Sequence, residues 1–307
     1  MASSSEHGAP RLIWSITSPI VHLGAMASCG WAWFAGWWIL VVPLWGVIIW
    51  MNHVALTRLH EGAHGMLPPS RPLNERQGIL IGTGALIPLS VYRYVHARHH
   101  AHLGGERDPE FWPYNLPAVP RAVRVLYAWL ELIVGWLLTP LLYSVRTAIS
   151  WRSVPRKQRA RVVAEWLLMA LVWSGVLWLV TARGWWAGFL VVFVVPAWGA
   201  GVFQTMRKFT EHLGMHGDSI MAMTRTVVYR GTAGRLASAS QLHVDHHGTH
   251  HRHARIPYYE LPDSTGRVYG GGERLFRSHA EAVRDMLPHL LDPKVGPQWE
   301  RGSRRAV

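Results

Sequence analysis

The chain has 307 residues, half of them hydrophobic and only 16% charged, with 18 Trp, 19 His, a single Cys and a formal net charge of +13. A soluble domain carries about 25% charged residues and Trp favours the membrane–water boundary, so the composition points to an integral membrane protein. The lone Cys29 excludes a disulfide framework and a Cys-ligated iron–sulfur cluster within the chain, and the basic excess reads as cytoplasmic loops rather than a nucleic-acid-binding surface.

From Leu12 to Thr57 there is no Lys, Arg, Asp or Glu. One crossing needs about 20 residues, so this stretch is expected to hold two spans, about 12–30 and 36–57. Cys29-Gly30 and Ala35-Gly36 are the candidate turns. Pro19 and Pro43 fall inside the helices, where bundles tolerate them. Residues 1–11 lack a basic n-region and a clear cleavage site, so the first apolar segment is expected to be retained. Gly78 to Ser90 is apolar but too short to cross, which suggests a re-entrant or interfacial segment. Val123 to Ile149 is apolar yet carries Arg124, Glu131, Pro140 and Arg146, and reads as an amphipathic helix on the cytoplasmic surface. A second pair of spans is expected at about 162–182 and 185–206, with the turn at Arg183-Gly184.

Of the 31 Lys and Arg residues, Arg183 alone falls on the far side of this arrangement. The positive-inside rule then puts both termini in the cytoplasm. The expected fold is an all-α, multi-pass integral membrane protein, in a bacterial inner membrane. Four transmembrane helices in two hairpins carry a cytoplasmic helical cap with the histidine clusters. Residues 1–11 form a cytoplasmic N-terminus, 12–262 the membrane-embedded domain, and 263–307 a polar cytoplasmic tail with a frayed end at Arg304-Arg305. A fifth crossing would strand the last histidine cluster on the wrong side.

Histidine carries the chemistry. The clusters are His60-Glu61-Gly62-Ala63-His64, His96-Ala97-Arg98-His99-His100, Glu211-His212, and a run with His243, Asp245, His246, His247, His250 and His251. Neutral imidazole is a strong ligand for intermediate transition metals. Spacings of i, i+4 and i, i+3, i+4 put the rings of each set on one helix face. Clusters flanked by long apolar runs imply one metal centre, assembled just under the bilayer surface.

The first cluster alone also fits the His-Glu-x-x-His pattern of zinc proteases, with Glu61 as base. That reading leaves the other clusters without a task. His22 and His53, inside expected spans, read as packed residues. His7, His279 and His289 read as solvated, and His102, His216 and His253 as ambiguous neighbours.

The succession His-x3-His, His-x2-His-His and a final His-x2-His-His resembles the membrane fatty acid desaturase superfamily, which includes acyl desaturases and carotenoid ketolases, with alkane hydroxylases as more distant relatives. Asp108-Pro109-Glu110, Glu211-His212 and Ile256-Pro257-Tyr258-Tyr259-Glu260-Leu261 add to the resemblance, which covers roughly Ala55 to Pro262. It implies two non-haem irons held by histidine, dioxygen as co-substrate and a long apolar substrate, a lipid or fatty acyl chain. Two final boxes overlap at His247. The family's spacing to the Ile-Pro-aromatic step selects His247, His250 and His251, with His243, His246 and His247 as the alternative. Asp245 stands where desaturases commonly have Asn.

The implied ligand set is His60, His64, His96, His99, His100, His212, His247, His250 and His251. Glu61, Asp108, Glu211 and Asp245 are candidate acceptors for imidazole N–H groups, and His216, His243 and His246 are further candidates. With no Gly-x-Gly-x-x-Gly motif, cysteine set or evident haem extension, electrons must come from an external donor. A ferredoxin, or cytochrome b5 with a reductase, would serve, and the basic face could dock it. The product class is open at this point: desaturation of a lipid chain, or hydroxylation or ketolation of a carotenoid or alkane.

Overall fold

The charge-free stretch near the N-terminus folds into two long helices. In the computed structural model, which describes residues 8–67, 70–269 and 274–303, these are α1 (Gly8–Phe34) and α2 (Trp38–His64). The expectations for His7 and for Arg304-Arg305 lie outside the described residues. The chain turns at Ala35-Gly36, where Gly36 takes φ +77°, a left-handed backbone that glycine adopts without steric cost. The alternative turn at Cys29-Gly30 is not used. Cys29 sits inside α1, fully buried with Ala32, Val41 and Ile48. α2 runs without a break beyond Thr57 to His64, so the first histidine box is its last turn.

α3 (Arg71–Gly84) and α4 (Leu89–His102) are bent 97° apart at the break between them, the geometry of a broken span or a re-entrant loop. Glu165, from a later helix, accepts from Ser90 N (2.8 Å) and Ser90 Oγ (2.6 Å). It satisfies an orphan amide at the start of α4 and fixes the direction in which that helix carries the second box.

α5 (Arg121–Ile149) departs from the surface helix expected of it. It is long and apolar enough to cross a membrane, and its Arg124 and Glu131 are buried and paired. Arg124 donates to Asp292 Oδ1 (2.6 Å) and Pro293 O (2.8 Å). Glu131 accepts from Tyr114 Oη (2.8 Å) and pairs with Lys208. The helix is also not straight. The Trp112 ring lies 5.2 Å from the Tyr127 ring and 5.2 Å from the Arg146 guanidinium, positions that a straight helix would hold about 28 Å apart. Val134 leaves helical geometry (φ −120°, ψ 15°) and Pro140 follows within the same helix, so α5 folds back on itself.

α6 (Arg156–Arg183) and α7 (Trp186–His212, including a π turn at Leu190–Val194) follow, joined at Gly184 (φ +66°). Among the described residues, four helices are long and apolar enough to cross a membrane: α2, α5, α6 and α7.

The remaining chain forms a cap of short elements. β1 (Thr226–Val227) pairs in parallel with β2 (Leu275–Phe276). Around it stand α8 (Thr232–Ser240), α9 (His247–Arg252), α10 (Leu261–Val268) and α11 (His279–Met286). The segment after residue 262 is packed in: Met286, Leu290 and Val295 share one core with Phe111, Tyr114, Phe209 and Leu213. His279 and His289, expected to be solvated, are half-buried. Tyr229 Oη meets His279 Nδ1, and the His289 ring fills the space beside Gly214.

Candidate metal centre

The structure brings nine histidines from four elements into one cluster. α2 supplies His60 and His64, α4 supplies His96, His99 and His100, the end of α7 supplies His212, and α9 supplies His247, His250 and His251. They fall into two adjoining groups. His60, His64, His96, His100 and His250 form one, and His99, His212 and His251 the other, with His247 against His212. The Nε2 atoms converge: His64–His96 3.0 Å, His96–His100 3.0 Å and His100–His250 3.2 Å in the first group, His212–His247 2.6 Å and His247–His251 3.0 Å in the second.

The outward ring nitrogens show where the protons are. His60 Nδ1 donates to Glu61 (3.0 Å), His96 Nδ1 to Glu110 (2.9 Å), His99 Nδ1 to Asp108 (2.8 Å) and His212 Nδ1 to Met223 O (3.0 Å). A neutral imidazole with its proton on Nδ1 presents a bare lone pair at Nε2. Hydrogen bonds therefore cannot reconcile this many inward nitrogens, and His60 Nε2 is buried with no partner. Two nitrogens each about 2.1 Å from one ion, at right angles, stand about 3.0 Å apart. The donor set thus fits bound metal of the imidazole-preferring kind. Burial first, and then the neighbouring imidazoles, hold His247, His250 and His251 well below the ordinary histidine pKa, which keeps them neutral and able to ligate.

Of the four candidate acceptors, Glu61 lies at His60 Nδ1 and Asp108 at His99 Nδ1. Asp108 also receives Gly104 N (2.8 Å) and Glu110 N (2.9 Å), which locks the loop after α4. Glu211 stands 3.5 Å from His247 Nδ1 and is held by Arg207 (2.7 Å). Asp245 is a correction. It accepts from Ser238 Oγ (2.7 Å) and not from any of the nine rings, and burial pushes its carboxyl up to about 6. His243 and His246 are turned away toward Ser238 (2.9 Å) and Thr265 (2.7 Å), and with Asp245 they make a separate group. His216 and His253 are exposed, and neither they nor His102 belong to a group. His53 is packed as expected, its Nδ1 2.6 Å from Gln241 Oε1.

Sequence reasoning gave no role to Glu110, although an acid following a histidine box is a readable signal. It could not have found Met223 O, because a backbone acceptor has no sequence signature. Phe111 is fully buried, with its ring 5.3 Å from His99 and 4.7 Å from His212. Tyr92 stacks on His96 at 5.2 Å.

A cavity of about 550 Å³ opens onto the cluster at His60, His96, His99, His212 and His247. Its walls are largely aliphatic and aromatic, among them Leu59, Ile81, Trp136 and Phe193. Such a space accepts a long apolar chain and brings part of it against the histidines.

The sequence pattern of the family described as Fatty acid desaturase matches residues 32–270. The chain belongs to the fatty acid desaturase family. The match takes in all nine clustered histidines and every wall of the cavity except the parts of α1 before residue 32. No curated protein matches the chain.

Proposed function

We propose that this family member is a membrane di-iron oxidoreductase that uses O2 and external electrons to desaturate a lipid or fatty acyl chain. The observation that carries the reading is the pairing of two imidazole groups, one of five and one built around His99, His212, His247 and His251, with an apolar cavity that ends on them. The nine histidines are the proposed ligands. Two irons held there would supply redox change and activation of O2.

The chain's own residues do the rest. Glu61, Asp108 and Glu110 keep the Nδ1 protons outward, so that the lone pairs face inward and the rings cannot turn. Phe111 and Tyr92 cover the rings on the protein side. The cavity walls orient the substrate and exclude water. A ferredoxin, or cytochrome b5 with its reductase, is the proposed donor at the basic face.

In the proposed topology, α1 with α2 and α6 with α7 cross as two hairpins, while α3–α4 and α5 enter and return. Both termini, the cap and the histidines then lie in the cytoplasm. The folded-back path of α5 supports this, since its two ends reach the same indole. So does the placement of Arg183 at the turn opposite the cap.

The zinc-protease alternative is disfavoured by geometry. Glu61 lies at the outer nitrogen of His60, where it orients the ring and does not face a water on the metal side.

The test is metal content and product mass for the purified protein. About two irons per chain and O2-dependent loss of two hydrogens from a lipid chain are expected. Gain of oxygen would move the reading to a hydroxylase or ketolase. One tightly held zinc with peptidase activity would end it.

A further inference from the structure

The cavity also carries polar side chains that the histidine cluster does not use. Asn52 on α2, Gln204 on α7 and His22 on α1 all line it. Asn52 stands eight positions before His60, and Gln204 eight before His212. At 1.5 Å per residue both lie about 12 Å along their helices from the metal-binding layer. The two helices are side by side at that level: the His53 and Phe203 rings are 4.3 Å apart, and Ile49 fills the space over Gly199.

His22 is hydrogen-bonded to the Asn52 side chain. Its Nε2, and the Oε1 of Gln204, are buried with no hydrogen-bond partner. Burying a polar atom unpaired is unfavourable, and two such atoms on the wall of a largely apolar cavity, whose charged lining residues Arg58, Glu131 and Lys208 have partners of their own, are complementary to a polar group on its occupant. A plain hydrocarbon tail would leave both unsatisfied.

We propose that the substrate is a long apolar chain bearing one hydroxyl, roughly ten carbon–carbon bonds from the carbon presented to the histidines, and that His22 and Gln204 bind that hydroxyl. This rests on the reading of the cavity as the substrate site. A hydroxyl both donates and accepts. With its Nδ1–H given to Asn52, His22 presents a bare Nε2, so the hydroxyl can give its proton to that nitrogen and receive one from the Gln204 amide turned with its NH2 inward, whereas an ether or carbonyl has no proton to give. Asn52 is the positioning residue, since its bond to His22 leaves Nε2 as the atom that meets the ligand.

The test uses the iron-loaded protein in nanodiscs, with octadecane and the positional isomers of octadecanol as probes. Dissociation constants are read by displacement of a fluorine-labelled chain. One isomer, or two adjacent ones, should bind about fivefold or more tighter than octadecane. Gln204→Leu and His22→Phe should each bring that ratio within about twofold. Gln204→Leu should also bind octadecane more tightly than the unaltered protein, because an unpaired polar group is gone. Gln204→Met, closer in shape, replaces it if the Leu variant does not fold. Equal affinity for octadecane and every isomer overturns the hydroxyl site and leaves the oxidoreductase reading standing. Binding of no chain at all, with two irons present, overturns the hydroxyl site together with the cavity as substrate site.

Discussion

The histidines reach one centre by two different routes. His60, His64, His96, His99 and His100 ride on helices of 27 and 14 residues, whereas His247, His250 and His251 ride on one of six. A long helix takes its position from packing along its whole length. A six-residue helix is too short to hold itself together, so its neighbours must pin it. Gly248 N donates to Thr226 Oγ1 (2.8 Å), Tyr269 Oη meets the same Thr226 Oγ1 (2.6 Å), and Thr249 Oγ1 meets Thr265 Oγ1 (2.8 Å). The first two boxes are therefore set by helix packing, and the third by a web of hydroxyls in the cap.

The comparison breaks most sharply within the third box. His250→Ala or His251→Ala should remove metal and abolish O2-dependent turnover, because each ring belongs to one of the two imidazole groups. His243→Ala should keep most of the metal, since that ring faces Ser238; losing an outlying partner costs about 10–100-fold at most. Iron content and turnover of each variant decide it. Loss at His243 with tolerance at His250 and His251 would move the centre to the earlier, overlapping box.

A smaller but cleaner contrast comes from adding one methyl to each kind of box. A Cβ on Gly248 would lie 2.1 Å from Tyr269 Oη and within 2.8 Å of the Thr224 and Thr226 hydroxyls. Those hydroxyls are the pins, so Gly248→Ala should shift α9 and cut metal retention and turnover by at least about tenfold. A Cβ on Gly62 would press on the end of Leu67 at 3.2 Å, which can give way, and would meet Gly78 Cα and Leu89 Cδ1 at 3.7 Å, an ordinary contact distance. Gly62→Ala should stay within about threefold of the unaltered protein. Equal losses in the two variants would mean that the third box is no more dependent on its surroundings than the first.

This division also explains what was legible in the sequence. The histidine spacings, the charge-free stretches and the acidic neighbours Glu61 and Asp108 are local patterns, and in the structure the nine histidines come together with Glu61 at His60 and Asp108 at His99. The family expected from the boxes is the family found. The path of α5 was not legible. Its Arg124 and Glu131 looked like solvent-facing charges, but their partners Asp292, Tyr114 and Lys208 come from distant segments, and nothing local announces such pairing. Asp245 misled for the converse reason. It sits two residues from a ligand candidate, yet the turn around it, with Leu242 and His243 at φ +56° and +52°, aims it at Ser238. Periodicity reports which face a residue takes on a helix, and that turn has no helical face to report.

The least disruptive test concerns Arg225, which ties the cap to the end of α7 beside His212. Its side chain donates to Thr210 O (3.1 Å) and Leu213 O (2.7 Å), and its backbone N to Glu211 O (2.8 Å), satisfying carbonyls that a helix end leaves open. Asp285 accepts from Arg225 Nε (2.7 Å). Burial pushes the Asp285 carboxyl up, but the hydrogen bond and charge of Arg225, with Arg274, outweigh it and hold the group below the usual carboxylate range. An acid depressed in the folded state adds stability that is present above its ordinary pKa and lost as pH falls through the lowered one. Asp285→Asn should therefore lower stability at neutral pH by about 1–2 kcal/mol. That is less than the 3–5 of a fully buried pair, because Asp285 is about a quarter exposed and solvent screens it. The difference in melting temperature from the unaltered protein should be a few degrees at pH 7 and should narrow as pH approaches about 4. Iron content should change little, because the backbone bond from Arg225 to Glu211 survives. A gap that does not depend on pH would show that Asp285 acts by packing and not by charge. A large loss of iron would show that His212 is positioned by the cap as strictly as the third box, and the distinction between the two routes would then apply to α2 and α4 alone.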